Sequence, residues 1–149
     1  MKRDANAANV ATRACCVLRG SLEQLARLRA FIAATAPQFG CGAEDVFALE
    51  LACDEAVTNI FNHVFDDQTG EVQVELWRQG DAVCVTLDYY GRSFDPSQVA
   101  EPDLTAPLEQ RPEGGLGLYF MRQLMQEVRF EFDAVKGNRL TMRRALGEN

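Results

Sequence analysis

The chain has 149 residues, 47% of them hydrophobic, which is enough for one packed core and short for two domains. Fifteen Lys and Arg against 22 Asp and Glu give a net charge of −7, which disfavours a nucleic-acid partner because a phosphate backbone would be repelled. No signal segment and no run of about 18 apolar residues is present, so we expect a cytoplasmic protein without a membrane partner.

The chain begins with a stretch that has no regular pattern. Residues 1–11 are polar and alanine-rich without periodicity, and we predict a disordered tail there. We expect a single domain over residues 12–149, since the chain contains no repeats and no low-complexity tracts. The first predicted strand covers residues 12–19.

Two helix patterns follow this strand. Ser21 is a suitable N-cap for a helix whose apolar residues recur every three or four positions until Pro37. From residue 43 to about 65, apolar residues define one broad face of a longer helix.

The second half of the chain alternates as β-strands do. Residues 71–78 alternate apolar with polar side chains, and a turn at 79–81 leads into an apolar segment over 82–87, which predicts a hairpin. Glycines and prolines then prevent regular structure between Gly91 and Gly114, an interval long enough to be a lid or a disordered segment.

The last part of the chain predicts one helix and two strands. The helix covers residues 116–126, and the strands cover 128–135 and 139–144. Most strands are thus antiparallel neighbours and βαβ alternation is absent, which indicates an α+β fold, a two-layer sandwich with helices on one sheet face.

A polar stripe marks the long second helix. Glu55, Asn59 and His63 are spaced four residues apart, so they share one side of the helix. A carboxylate there can accept a proton from a substrate hydroxyl, and an amide oxygen is a hard ligand suited to Mg²⁺. The alternative is that the three residues are simply part of the solvated side of the helix.

A glycine-rich turn precedes the third helix. The segment Gly114-Gly115-Leu116-Gly117 opens a helix N-terminus, whose free N–H groups and positive dipole end suit phosphate. The glycines can equally be a flexible hinge at the end of a loop. Neither G-x-G-x-x-G nor a Walker A loop is present, because Phe120 replaces the third glycine and no G-K-[ST] follows.

Four motifs in order resemble the anti-sigma-factor serine kinase family, a small branch of the GHKL ATPase superfamily. They are Glu55-Ala56-Val57-Thr58-Asn59 with His63, Gly91-Arg92-x-Phe94-Asp95-Pro96, Gly114-Gly115-Leu116-Gly117-Leu118, and Gly137-Asn138-Arg139-Leu140-Thr141-Met142. The likeness runs from about residue 12 to 146. It implies a Bergerat-type fold with a mixed, mostly antiparallel sheet and ATP held between the helices and a lid.

The resemblance also implies roles for single residues. Glu55 matches the proposed general base, and Asn59 matches the asparagine that binds Mg²⁺. The motif residues that are expected to bind ATP are Asn59, His63, Gly91, Gly114, Gly115, Leu116, Gly117 and Asn138. Residues from about 97 to 113 would form the lid.

One departure from the family concerns the adenine. The family's first glycine box reads D-x-G, and anchoring on Gly91 places Tyr89 where the aspartate accepts a hydrogen bond from the base. Asp88 is one residue early, so it faces the other side of the strand unless a bulge re-aims it. Both residues are candidates for the base-binding position.

The resemblance implies a serine/threonine-protein kinase that uses ATP and Mg²⁺. Its substrate would be a STAS-domain anti-anti-sigma protein, which competes with a sigma factor or another target for the kinase. Homodimers are common in the family. The alternative is a binding module that has lost catalysis and regulates by sequestering partners, and Tyr89 favours it. The ATPase domain of a sensor histidine kinase fits less well, because no dimerisation helix is present in this sequence.

Overall fold

The computed structural model describes residues 12–65, 70–91, 115–133 and 135–147. The strands are β1 (Ala14–Arg19), β2 (Glu71–Gln79), β3 (Ala82–Tyr89), β4 (Glu127–Glu131) and β5 (Asn138–Ala145). The helices are α1 (Gln24–Thr35), α2 (Ala43–His63) and α3 (Gly115–Leu124), with a 3₁₀ turn, Ala36–Phe39, after α1. None of these described helices has the length and apolarity needed to cross a membrane. The predicted tail and lid lie outside the described residues.

The strands form one sheet in the order β1-β2-β3-β5-β4. Each of its four pairings is antiparallel. The α+β class and the mostly antiparallel sheet are therefore confirmed, and no parallel pairing occurs among the described strands. Gly80 has a φ of 63° in the hairpin turn between β2 and β3, a conformation that glycine adopts without strain.

The two sheet faces differ in chemistry, as the alternation along β2 predicts. Val72, Val74 and Leu76 are completely buried, and they share one apolar cluster with residues from all three helices. The helices thus cover one face of the sheet. The other face carries ion pairs between neighbouring strands, including Arg19 with Glu71. The sheet is one layer of the fold, and the helices that cover its apolar face are the second layer.

The start of α1 differs from the prediction. The helix begins at Gln24, after Glu23, and no side chain caps it. Ser21 instead accepts a hydrogen bond from the Gln24 N–H through its carbonyl oxygen, at 3.0 Å. The prediction of Ser21 as N-cap is wrong, because a turn over residues 21–23 already uses its backbone.

Arg144 of β5 fixes the two helices that carry the predicted site. Its Nε donates to Oδ1 of Asp45 at 2.8 Å, and its Nη1 donates to the Leu124 carbonyl at 2.7 Å. Asp45 lies in the first turn of α2, and Leu124 is the last residue of α3. Since the end of α3 meets the start of α2, the two helices run antiparallel, and the N-terminus of α3 lies beside the later turns of α2.

Candidate active site

Glu55 and Asn59 lie one turn apart on α2 and face the first turn of α3. A Cβ atom on Gly117 would lie 2.7 Å from Oε2 of Glu55 and 3.7 Å from Nδ2 of Asn59. Heavy atoms do not approach a real Cβ as closely as 2.7 Å, so only glycine permits this contact without a shift of the carboxylate. The structure thus brings together three residues that the sequence predicted for one site.

The first turn of α3 lies beside this contact. The helix begins at Gly115 and includes Leu116 and Gly117, so these residues belong to its first turn. The first-turn N–H groups have no acceptor within the helix, and they lie at the positive end of the helix dipole. This geometry favours a phosphate cradle over a hinge at Gly117. Gly114 lies outside the described residues.

The Glu55 carboxyl is half-buried. Burial raises its pKa, and the negative charge of the adjacent Asp54 raises it further. Asp54 itself is held by Arg29 of α1, whose Nη1 donates to both carboxylate oxygens at 3.0 Å. The raised pKa makes the ionised Glu55 a stronger base than an exposed glutamate, and such shifts are typical of functional sites.

Gly91 and Asn138 meet just beyond the C-terminal end of α2. Gly91 has a φ of 140°, and a Cβ there would lie 2.7 Å from Cγ1 of Val64, so the position requires glycine. The buried Asn138 donates its side-chain N–H to the Gly91 carbonyl at 3.3 Å. His63, the last residue of α2, is exposed. Gly91 and Asn138 therefore lie together near the end of α2, and neither they nor His63 are among the residues that line the cleft beside Asn59.

Asp88 and Tyr89 occupy opposite faces of the sheet. Asp88 accepts hydrogen bonds from Nε and Nη2 of Arg139, at 2.7 and 3.1 Å. Tyr89 is 3% exposed and belongs to the core between sheet and helices. The β2–β3 register runs without interruption through Gln73 with Asp88 and Val72 with Tyr89, so no bulge re-aims the aspartate. Of the two candidates, only Tyr89 lies beside Asn59, in the cleft between sheet and helices.

A narrow cleft beside Asn59 leaves almost no room. Its lining residues are Ala56, Asn59, Ile60, Tyr89, Met121, Phe130 and Leu140. Its volume is only about 10 Å³, roughly the space of one water molecule. The described side chains therefore fit the metal and phosphate end of a nucleotide, but they do not leave space for a base at this cleft.

Several of these lining residues were not predicted as site residues. Met121 and Leu140 sit at apolar positions that helical and strand periodicity assign to the core. Periodicity alone does not distinguish a core wall from a cleft wall. Met121 and Leu140 line the cleft because they lie opposite the Asn59 side of α2. That position can be seen only in the tertiary structure.

The metal end of the site has few ligands of its own. In the described ranges, no group of three or more His, Cys, Asp and Glu is arranged to hold a metal ion. Mg²⁺ commonly uses one or two protein oxygens and completes its shell with phosphates and water. Glu55 and Asn59 offer a donor set of that kind, which fits a metal that arrives with a nucleotide.

Residues 18–144 match a family model described as the histidine kinase-like ATPase domain. This chain belongs to that family. The match includes α1, α2, α3 and the Glu55, Asn59 and Gly117 contact, so the site described here lies within the family domain.

The relatives of this family member include serine-protein kinases. Serine-protein kinase RsbW of Bacillus cereus strain Q1 is 31% identical over 115 residues, covering 74% of this chain and 72% of the relative. Serine-protein kinase RsbW of Bacillus anthracis strain CDC 684 / NRRL 3495 is 30% identical over the same length, with the same coverage of both chains. These matches confirm the resemblance to the anti-sigma-factor serine kinase family.

A solved structure confirms the fold. The crystal structure of the RsbU and RsbW domains of Rv1364c from Mycobacterium tuberculosis superimposes with a TM-score of 0.66, covering 93% of this chain and 33% of that chain. Its sequence identity is 18%, so the likeness concerns the architecture alone. The sheet and its helix layer are thus those of the family.

Proposed function

We propose that this protein is an ATP-dependent serine/threonine-protein kinase that regulates by partner switching. Its substrate would be a hydroxyl group of a STAS-domain anti-anti-sigma protein, and its second partner a sigma factor or another regulatory target. The relatives named serine-protein kinase support the reaction type. The Glu55 carboxylate, placed against the first turn of α3 beside Asn59, is the observation that carries the proposal.

Glu55 is the residue proposed to act on the substrate hydroxyl. Burial and the neighbouring Asp54 raise the pKa of Glu55, which makes its carboxylate a better proton acceptor than an exposed one. Its position at Gly117 places it next to the backbone that would hold the phosphates. Proton removal and phosphate positioning would therefore occur at the same point between α2 and α3.

The first turn of α3 is proposed to bind the phosphates, and Asn59 to bind Mg²⁺. Mg-ATP, when bound, would supply the phosphoryl group together with a cation that offsets its charge. The chain contributes preorganised N–H donors, which need no rearrangement as charge develops on the phosphoryl oxygens. Because Asn59 is only 9% exposed and lies one turn after Glu55, it is held in place for a ligand role.

Transfer of radiolabel from [γ-³²P]ATP tests this function. Each STAS-domain protein of the source genome is incubated with the full chain, Mg²⁺ and labelled ATP, and phosphorylated product is measured. Wild-type protein is expected to label one of them. Glu55→Gln is expected to reduce the rate roughly a hundred- to ten-thousandfold, which is the usual contribution of a general base.

Glu50→Gln is the matched control, since it removes a carboxylate from the same helix outside the contact with Gly117. Its rate should stay within about twofold of wild type. Glu55→Gln should also keep its stability at neutral pH, because burial disfavours the ionised form that the substitution removes. Equal rates for wild type and Glu55→Gln would overturn the catalytic role.

A second candidate function is a binding module that sequesters partners without catalysis. The narrow cleft between Asn59 and Tyr89 favours this alternative, since it has no space for a base. The two functions differ in nucleotide binding. A protein that binds a STAS partner tightly but shows no heat with millimolar Mg-ATP in calorimetry would be the sequestering module.

A further inference from the structure

We infer that the Tyr89 side chain stands where the base of a nucleotide would lie, so this protein holds nucleotides mainly by their phosphates and distinguishes poorly between bases. The inference rests on the proposed function, because it concerns the same site. Tyr89 would then be the residue responsible for the weak discrimination between ATP and GTP.

The position of Tyr89 follows from the strand register. It is the last residue of β3 and lies between Val72 of β2 and Asn138 of β5. Strand alternation places it in the same row as Val85 and Leu87, on the face that the helices cover. With only 3% of its surface exposed, the ring is inside the layer between sheet and helices.

The cleft around Tyr89 has the apolar lining expected of a base pocket, but its volume is too small for a base. Apart from Asn59 and the tyrosine itself, its lining side chains are apolar, as expected for a site that takes a flat aromatic ring. Small-molecule pockets usually have volumes of about 300 to 1,000 Å³. The cleft holds about 10 Å³, far less than a purine needs, and Tyr89 is the bulky polar side chain among those that line it.

The hydroxyl group of Tyr89 also differs from a carboxylate in what it recognises. An ionised aspartate only accepts hydrogen bonds, so it favours the amino group of adenine over the carbonyl oxygen of guanine. A phenol both donates and accepts, so at this position it supplies no such preference between the bases. Asp88 cannot select adenine in place of Tyr89, because Arg139 holds the Asp88 carboxylate on the opposite face of the sheet.

The phosphate end of the site is centred on Gly117 and Glu55, and only Asn59 belongs both to it and to the cleft with Tyr89. Gly117 lies against Glu55. On α2, Glu55 is one turn before Asn59 and Ile60, which line the cleft. Phosphates bound at the N-terminus of α3 can therefore keep their contacts while the base stays outside the cleft. Affinity would then come from the triphosphate and its metal, which ATP and GTP share.

Calorimetry with three magnesium complexes tests the inference: ATP, GTP and inorganic triphosphate. Wild-type full-length protein is expected to bind all three with dissociation constants within about threefold of one another. Tyr89→Asp is expected to tighten ATP at least tenfold while GTP and triphosphate change less than threefold. Tyr89→Ala should tighten ATP and GTP alike, because it opens the cleft without adding an acceptor.

Tyr90→Asp is the matched control. It introduces the same charge at the neighbouring residue, whose side chain is 69% exposed, and all three affinities should stay at the wild-type values.

Two results overturn the inference. A wild-type preference for ATP over GTP of tenfold or more overturns it alone and leaves the proposed kinase intact, and this comparison needs no variant to fold. A lack of binding of all three complexes by both wild type and Tyr89→Asp overturns the proposed kinase, and the inference with it.

Discussion

Gly117 of α3 lies so close to Glu55 of α2 that a single methyl group between them would reach within 2.7 Å of the Oε2 atom. The same glycine lies in the first turn of a helix, where backbone N–H groups are free to bind an anion. The approach of the two helices therefore determines both where a phosphate can bind and where the carboxylate can stand.

Replacing Gly117 with alanine is expected to separate activity from stability. Alanine favours a helix over glycine by about 1 kcal/mol, which offsets the cost of moving the flexible Glu55 side chain. Thermal unfolding should therefore change little. Phosphate transfer to the STAS substrate should fall about a hundredfold, since displacing a catalytic group by about 1 Å has an effect of that size.

Gly147→Ala is the control for this experiment, because a Cβ at Gly147 meets nothing within 4 Å. Its transfer rate and melting temperature should both equal those of wild type. A Gly117→Ala protein that retains full activity would show that the close approach of Gly117 to Glu55 is not needed for the reaction.

The pH dependence of transfer should depend on Asp54. Burial raises the pKa of Glu55, and the negative charge of Asp54 raises it further, so Asp54→Asn lowers this pKa. The rate falls at acidic pH as Glu55 takes up its proton. In Asp54→Asn the acid limb of the rate profile should therefore move to lower pH, while staying above the range of an exposed glutamate because burial remains.

The control for this shift is Glu44→Gln, which removes one negative charge from the first turn of the same helix. Its acid limb should match that of wild type. Asp54→Asn also breaks the partly exposed ion pair with Arg29, which should reduce stability by about 1 kcal/mol or less. An acid limb that stays in place or moves to higher pH in Asp54→Asn would contradict the electrostatic argument.

Most of the fold could be predicted from the sequence because local periodicity encodes it. The alternation of Val72, Val74 and Leu76 identified the buried face of β2, and the polar stripe of α2 identified Glu55 and Asn59. The motifs, in order, then indicated the family.

What the sequence did not provide were contacts between distant segments. Arg144 bonds to Asp45 and to the carbonyl of Leu124, and no local pattern links these positions. The direction of Asp88 depended on whether β3 contains a bulge, which only the strand register decides. The narrowness of the cleft beside Tyr89 likewise depends on how α2, α3 and the sheet meet.

Asp88 is expected to have no part in nucleotide binding. Its carboxylate lies on the open sheet face, where Arg139 donates two hydrogen bonds to it. Asp88→Asn should change the dissociation constant of Mg-ATP less than about twofold, and stability by about 1 kcal/mol or less, as for other exposed pairs. Calorimetry and urea unfolding measure the two quantities.

Arg139→Gln offers an independent comparison, since it removes the partner of Asp88 from the same face. It should have the same small effects as Asp88→Asn. A tenfold loss of ATP affinity in Asp88→Asn alone would mean that the aspartate reaches the base after all, and that the strand changes its register when nucleotide binds.

Arg144 is expected to contribute more to stability than the other ion pairs on the sheet. Arg144 and Asp45 have side chains that are 22% and 13% exposed, so removing one leaves the other partly buried without its partner. Arg144→Met should therefore reduce the free energy of unfolding by about 1 to 3 kcal/mol, since it leaves both a carboxylate oxygen and the Leu124 carbonyl without a donor. Urea unfolding measures this difference.

The matched control is Arg129→Met on β4, whose side chain is 58% exposed and whose ion pairs are 3.5 and 3.8 Å long. It should lose no more than about 0.5 kcal/mol. A double-mutant cycle with Asp45→Asn separates the part of the Arg144 effect that comes from the carboxylate from the part that comes from the Leu124 carbonyl. Equal losses in Arg144→Met and Arg129→Met would show that the contact of Arg144 with both helices adds nothing beyond an ordinary surface pair.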